Sequence, residues 1–333
     1  MVAEPEKLIW NDLKWELQLA GPSNTSLPQT TSVADWAEWA SQYSVPVRFR
    51  GRDGRRSIGP LDSMLKRMAS ALQHAYRAPA PVFGFVPGLS TFSAAQVHVG
   101  AASALVVDLK DFFGQINESR VRSSLGNALD DEALNVLIGC CLLPSGLPLG
   151  FRTSPVISNF AFQRTDLAIE ALCISRGVNY TRWVDDLVFS GPIVDDLFLD
   201  QLLEILTEFS WTPNEKKTRF MSSRRVVLGL NIAKELERPH VPRTMKKELR
   251  KQVYYLNRFG SAHFSDTGSW TLSKILGTIA YVKSVDPNLA LLMERQLDTL
   301  PNDERLRSYS RAVGGGRWQL DMLEYIGFTN SSS

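Results

Sequence analysis

Two aspartates stand side by side at Asp185-Asp186, where the largely apolar run Tyr180–Val184 meets a second run, Leu187–Phe189, closed by Gly191. Aspartate is a poor strand former and neighbouring carboxylates repel each other, so two strands that meet at such a pair point to a divalent cation. A site of this kind calls for a third acid from elsewhere in the chain. Asp108 is the candidate, because it ends the run Ala104–Val107 and a carboxylate at the end of a buried strand is costly unless paired or metal-bound.

Several elements would have to position these acids. Val45 to Arg56 alternates apolar and basic residues and predicts a hairpin turning at Asp53-Gly54. Its Arg48, Arg50, Arg52, Arg55 and Arg56 fit a grip on phosphates and equally a cationic edge that resists aggregation. Met64, Met68, Leu72 and Tyr76 recur every four residues behind Pro60 and mark one buried helix face. Helical periodicity returns from Ser119 to Leu142. A turn-dense loop, Leu143–Gly150, precedes a helix opened by Thr153-Ser154-Pro155 and ended by Gly177. A further amphipathic helix spans Leu197 to Phe209, and Arg225–Ile232 reads as a strand containing Gly229. From about Ala233 the chain turns helical. There Arg243, Lys246, Lys247, Arg250 and Lys251 share a face ahead of Tyr254 and Tyr255, a pattern that suits a nucleic-acid backbone and also a solvated basic face. The N-terminal tryptophans Trp10, Trp15, Trp36 and Trp39 read as a packing arm, His98 as a core histidine, and the last residues from Thr329 as a frayed tail.

Composition sets the limits. The 333 residues are 44% hydrophobic and 22% charged, enough for a sizeable core, and a net charge of +2 is too small to argue nucleic-acid binding from bulk charge. Cys140, Cys141 and Cys173 lack metal-ligand spacing, and with no leader-like start the expectation is a reducing cytoplasm. No apolar run approaches the roughly 18 residues of a membrane helix.

Taken in order, Asp108–Phe113, the Gly146–Gly150 loop with Thr153-Ser154-Pro155, Tyr180–Gly191 and Asn214–Thr218 resemble the motifs of a reverse transcriptase. The resemblance is to the bacterial retron-like branch, which includes retron and defence-associated enzymes, and covers most of residues 45–235. It implies an α+β right-hand polymerase: an N-terminal arm (1–44), fingers (45–104), palm (105–145), a fingers/palm loop and helix (146–176), palm again (177–232) with an antiparallel sheet, and a helical thumb and tail (233–333). The implied activity is RNA-directed DNA synthesis by two-metal nucleotidyl transfer with Mg²⁺, or Mn²⁺ in its place. Asp108 and Asp185 become bridging ligands with Asp186 in support, and the Leu109 backbone oxygen an additional ligand. Phe113 becomes the steric gate against a 2′-hydroxyl. Arg56, assisted by Arg55, meets the triphosphate, Leu149 and Gly150 line the nucleotide, and Lys217 protonates pyrophosphate. Trp183 and Gly229 fall at primer or template, with Arg243, Lys246, Lys247, Arg250 and Lys251 facing the duplex. The implied partners are a noncoding RNA, dNTPs, the DNA product and a separate effector protein, with no membrane.

The chain departs from the family pattern at several places. Leu149 stands where Gln is usual, Phe151-Arg152 where Ala-Pro is common, Trp183 where Tyr is common, Ala94 follows no Asn in the motif that reaches His98, and Leu228 replaces Thr. These positions cluster at primer, template and nucleotide contacts. An enzyme with an atypical template or none, an RNA polymerase of the same palm, and a catalytically idle RNA-binding scaffold are the alternatives.

Overall fold

The computed structural model describes residues 27–49, 51–221, 225–233, 235–260 and 268–298. Trp10, Trp15, Arg50 and the tail from Thr329 lie outside the described residues, as do parts of the proposed arm and thumb. The chain divides into two compact units. The first runs to Leu89 and resumes over Leu105–Phe220, and the second takes Ser90–Ala104 and everything from Met221.

In the first unit, helix α1 (Val33–Gln42) leads into hairpin β1 (Ser44–Phe49) and β2 (Arg52–Ser57), then helix α2 (Gly59–Ala75). The packing arm holds where it is described: Trp36 and Trp39 are buried. A Cβ at Gly139 would lie 2.6 Å from that of Trp36, so the bare backbone is what lets α1 lie against the later helix that carries Gly139. The hairpin does not turn at Asp53-Gly54. Phe49 pairs with Arg52, which places the reversal between those two residues, with Gly51 at φ +80°. Gly54 lies inside β2 because a Cβ there would meet the Leu149 carbonyl oxygen at 2.6 Å and the Phe49 ring at 2.7 Å.

Strand β3 (Ser103–Asp108) is followed by helices α4 (Glu118–Leu125) and α5 (Asp131–Cys141). The single periodic stretch expected over 119–142 is therefore two helices. Asn117 and Asp130 each cap a new N-terminus by accepting from the backbone N–H three residues on. Helix α6 (Ser154–Arg176) has Pro155 in its first turn and stops at Gly177, φ +62°. Strands β4 (Asn179–Trp183) and β5 (Asp186–Gly191) pair antiparallel, helix α7 (Asp196–Glu208) follows, and β6 (Arg219–Met221) completes a four-stranded sheet of order β4-β5-β3-β6. Tyr180 stacks on its cross-strand partner Phe189, ring centroids 4.9 Å apart, and Phe189 meets Phe198 of α7 edge-on. That aromatic layer fixes β4–β5 register from below. The three cysteines are free and buried, and burial pushes the Cys141 thiol up to about 12, as a core residue requires.

In the second unit, α3 (Thr91–Gln96) precedes the buried His98. The stretch 225–232 is not one strand. It folds into the hairpin β7 (Val226–Val227) and β8 (Leu230–Asn231), whose turn residues Leu228 and Gly229 both have positive φ. Tight two-residue hairpins demand that conformation, so the glycine marks a turn rather than a strand interior. Helices α8 (Arg243–Phe259), α9 (Leu272–Lys283) and α10 (Pro287–Asp298) complete the unit. Among the described residues no helix is long and apolar enough to cross a membrane.

Candidate active site

The turn between β4 and β5 consists of Val184 and Asp185, since Trp183 pairs directly with Asp186. Only the first of the two has positive φ, +61°. Two-residue turns of that pattern favour glycine there, and a β-branched residue is an outlier. The turn is held to β3 by the Leu109 N–H, which donates to the Asp185 carbonyl oxygen at 3.0 Å. Asp108, the last residue of β3, is thereby brought beside Asp185, as the sequence predicts.

The three carboxylates feel one another. Burial first, then the charge of Asp108, raises Asp185 to about 6. Burial first, then Asp185 and Asp108, raises Asp186 to about 8. Lys217 opposes both shifts. Its Nζ donates to Asp108 Oδ2 at 2.8 Å, while Asn214 donates its side-chain amide to Asp108 Oδ1 at 3.1 Å and its backbone N–H to the Asp108 carbonyl at 2.7 Å. Sequence reasoning passed over Asn214, whose signal was its place in the same turn as Lys217. Among the described residues no three His, Cys, Asp or Glu side chains already converge as a metal-holding group. The donor chemistry still fits a divalent cation: every donor is an oxygen, and the raised carboxylates carry repulsion that a cation would relieve.

The nucleotide-side candidates meet in one seam. The Arg55 N–H donates to the Leu149 carbonyl at 2.8 Å, and a Cβ on Gly150, φ +102°, would lie 2.5 Å from the Arg55 carbonyl oxygen. At the other end of the loop, the Leu147 N–H donates to the Phe113 carbonyl at 3.0 Å, and Gly146 packs against Phe113 and Gly114. One short loop therefore ties the half-buried Phe113 to the β1–β2 hairpin. Arg152 fixes the loop's far side through both oxygens of Asp62 on α2, at 3.0 and 3.3 Å. The hairpin arginines sort by strand alternation. Arg52 and Arg56 share the face of Phe49 and Gly54, which meets the loop, and both are exposed. Arg55 lies on the opposite face, where its guanidinium donates to the Ser44 hydroxyl and carbonyl at 2.8 and 3.0 Å. Arg55 thus braces the hairpin, while the charge of the exposed Arg52 is one of the influences that oppose the rise at Asp185.

Trp183 is buried, at 7% exposure, and its indole N–H has no partner among the described residues. In the second unit, Gly229 packs against the Tyr281 hydroxyl, which donates to the Leu228 carbonyl at 2.9 Å. On α8, Arg243, Lys247, Arg250 and Lys251 are exposed together with Tyr254, Tyr255 and Phe259. Lys246 is set apart, since its Nζ is 2.6 Å from the Asp286 carboxylate.

The family described as reverse transcriptase (RNA-dependent DNA polymerase) matches residues 50–232, more than half the chain. Curated relatives include the retron Mx65 reverse transcriptase of Myxococcus xanthus, 28% identical over 71% of this chain and 58% of its own length. The retron Ec86 reverse transcriptase of Escherichia coli is 30% identical over 61% of this chain and 62% of its own length. The retron Ec73 reverse transcriptase of the same organism is 28% identical over 74% of this chain and 84% of its own length. The chain thus spans about three-fifths of the first two relatives.

Proposed function

Because the chain belongs to the reverse transcriptase family and has its α+β right-hand polymerase fold, we propose that it is a divalent-metal-dependent, RNA-directed DNA polymerase of a bacterial retron or antiphage system. The observation that carries this reading is the approach of Asp108 to the Asp185-Asp186 turn, with Lys217 bonded to Asp108.

In this reading Asp108, Asp185 and Asp186, with the Leu109 backbone oxygen, would hold two Mg²⁺ ions, for which Mn²⁺ can substitute. Bound there, the ions would supply activation of a primer 3′-hydroxyl and charge neutralisation at pyrophosphate. The protein's own groups do the rest. Arg52 and Arg56 meet the triphosphate of the incoming dNTP from the hairpin face. Leu149 and Gly150 form the floor beside the sugar, and the Phe113 ring excludes a 2′-hydroxyl. Lys217, bonded to Asp108 in this structure, would give a proton to the leaving pyrophosphate. In the proposed division, fingers extend over 45–104 and 146–176, the palm carries the acids, and the helical region from 233 is the thumb. Its exposed Arg243, Lys247, Arg250 and Lys251 would track the RNA–DNA duplex, with Tyr254 and Tyr255 available for stacking. The partners in this reading are a noncoding RNA serving as template and primer, the DNA product and a separate effector, within the cytoplasm.

The test is incorporation of dNTPs by the purified protein with its co-purifying RNA and Mg²⁺. DNA product that disappears in Asp185→Asn/Asp186→Asn supports the reading. Equal synthesis by the double variant refutes the site, and no synthesis by the wild type favours the scaffold alternative. Sequencing the bound nucleic acid identifies template, primer and product.

A further inference from the structure

Arg182 is a charged residue in the middle of a buried strand, and its side chain is 0% exposed. A guanidinium so placed must have every donor answered. It makes a two-pronged ion pair with the equally buried Asp166 of α6, at 2.8 and 2.7 Å. Its third nitrogen reaches two acceptors, Asn159 Oδ1 at 3.2 Å and the Val184 carbonyl at 3.1 Å. Asn159 in turn donates to the Gly84 carbonyl at 3.0 Å. Gly84 closes the circuit: its N–H and that of Phe83 donate to the Arg182 carbonyl, and a Cβ at Gly84 would lie 2.5 Å from the Val184 backbone nitrogen. Tyr180 adds its hydroxyl to Asp166 at 2.8 Å.

The network ends on one residue, Val184, which holds positive φ and whose carbonyl directly precedes Asp185. Positive φ is unfavourable for a residue with a Cβ, and a branched side chain gives the turn no local reason to adopt it. The chain supplies the reason from outside, through the guanidinium on the carbonyl side and the Gly84 backbone against the nitrogen.

We propose that Arg182, anchored by Asp166 and Asn159, is a positioning residue that holds Val184 in its left-handed conformation and so aims Asp185 and Asp186 at the metals. The proposal rests on the metal reading above. It makes the fork shape of the side chain the requirement, since a lysine could keep the ion pair with Asp166 but could not also span Asn159 and Val184.

The test uses the full chain and Mn²⁺ as probe, with free ion counted by electron paramagnetic resonance. Arg182→Lys should fold, lose Mn²⁺ affinity by roughly 10-fold, as loss of a group that orients ligands does, and exchange amide hydrogens faster over 183–187. Adding Val184→Gly, which removes the Cβ penalty on positive φ, should recover part of that affinity. Asn159→Ala serves as a second variant with Arg182 retained and should weaken Mn²⁺ in the same direction. Wild-type affinity and exchange in folded Arg182→Lys or Asn159→Ala would overturn the proposal, as would a loss indifferent to Val184→Gly. Mn²⁺ binding unchanged in Asp185→Asn/Asp186→Asn would instead remove the metal reading itself, a result separable because the exchange at 183–187 reports the turn without metal.

Discussion

The Lys217 ammonium lies 2.8 Å from Asp108 Oδ2, so the cation expected to act on the leaving group is bonded to a proposed metal ligand. In the absence of metal it is the nearest compensation for three crowded carboxylates. Metal and lysine then compete for Asp108, which gives Lys217→Met two opposed effects. DNA synthesis should fall by about 10²-fold or more, the scale of a lost general acid. The rise in melting temperature on adding Mg²⁺ should be larger than in the wild type, because nothing else neutralises Asp108. Turnover assays and melts with and without Mg²⁺ check both. A variant with a smaller Mg²⁺ shift would show that Lys217 does not compete for the site.

The raised acids set a direction for pH dependence. Burial and mutual repulsion raise Asp185 to about 6 and Asp186 to about 8, against 3.8 for an ordinary aspartate. Between about 4 and 8 the native state therefore binds more protons than the unfolded chain, and stability falls as pH rises through that window. His98, lowered by burial to about 3, contributes the opposite slope below 6.5. Subtracting the Asp186→Asn profile from that of the wild type isolates the acid. In a chelating buffer the wild type should lose melting temperature relative to the variant as pH goes from 5 to 8, and Mg²⁺ should stabilise it more at pH 8 than at pH 5.

The seam between hairpin and loop predicts unequal costs for two glycines. Gly150→Ala must hold φ +102° and place a methyl 2.5 Å from the Arg55 carbonyl oxygen. It should lose about 1–3 kcal/mol of stability and, with the loop in its proposed place beside the nucleotide, raise KM for dNTPs more than it lowers kcat. Gly51→Ala has positive φ but open space around it, and should cost about 1–2 kcal/mol at most. Denaturant melts and steady-state kinetics separate them, and equal effects would mean the Gly150 contact is relaxed in solution.

The meeting of the three acids was legible from sequence because each broke a local rule: adjacent aspartates at a strand junction, and an aspartate closing an apolar strand. The glycines misled in two places for one reason. Asp53-Gly54 has turn chemistry but serves a close backbone approach to Leu149, while Gly229, read as a strand interior, is the turn. A glycine announces that a Cβ is unwelcome without saying whether the cause is conformation or a neighbour. Arg182 and Asp166 were invisible as a pair because 16 residues and a change from helix to strand separate them, although an arginine within an apolar strand already implied a buried acid. Lys246 belonged to the basic face by periodicity, but only tertiary packing places Asp286 beside it.

Leu228 stands in a two-residue turn where it and Gly229 both have positive φ, +49° and +79°. Asn-Gly is the pair such turns prefer, because asparagine tolerates the left-handed region that leucine resists. The conformation is supported by the Tyr281 hydroxyl, which binds the Leu228 carbonyl rather than its side chain. Leu228→Asn keeps that bond and should stabilise the protein by about 1 kcal/mol. Tyr281→Phe removes the bond and should cost about 1 kcal/mol. Because the hydroxyl compensates for strain that asparagine lacks, Tyr281→Phe should cost less in the Leu228→Asn background than in the wild type. A double-mutant cycle of melts measures the difference, and strict additivity would show that the tyrosine and the leucine strain are independent.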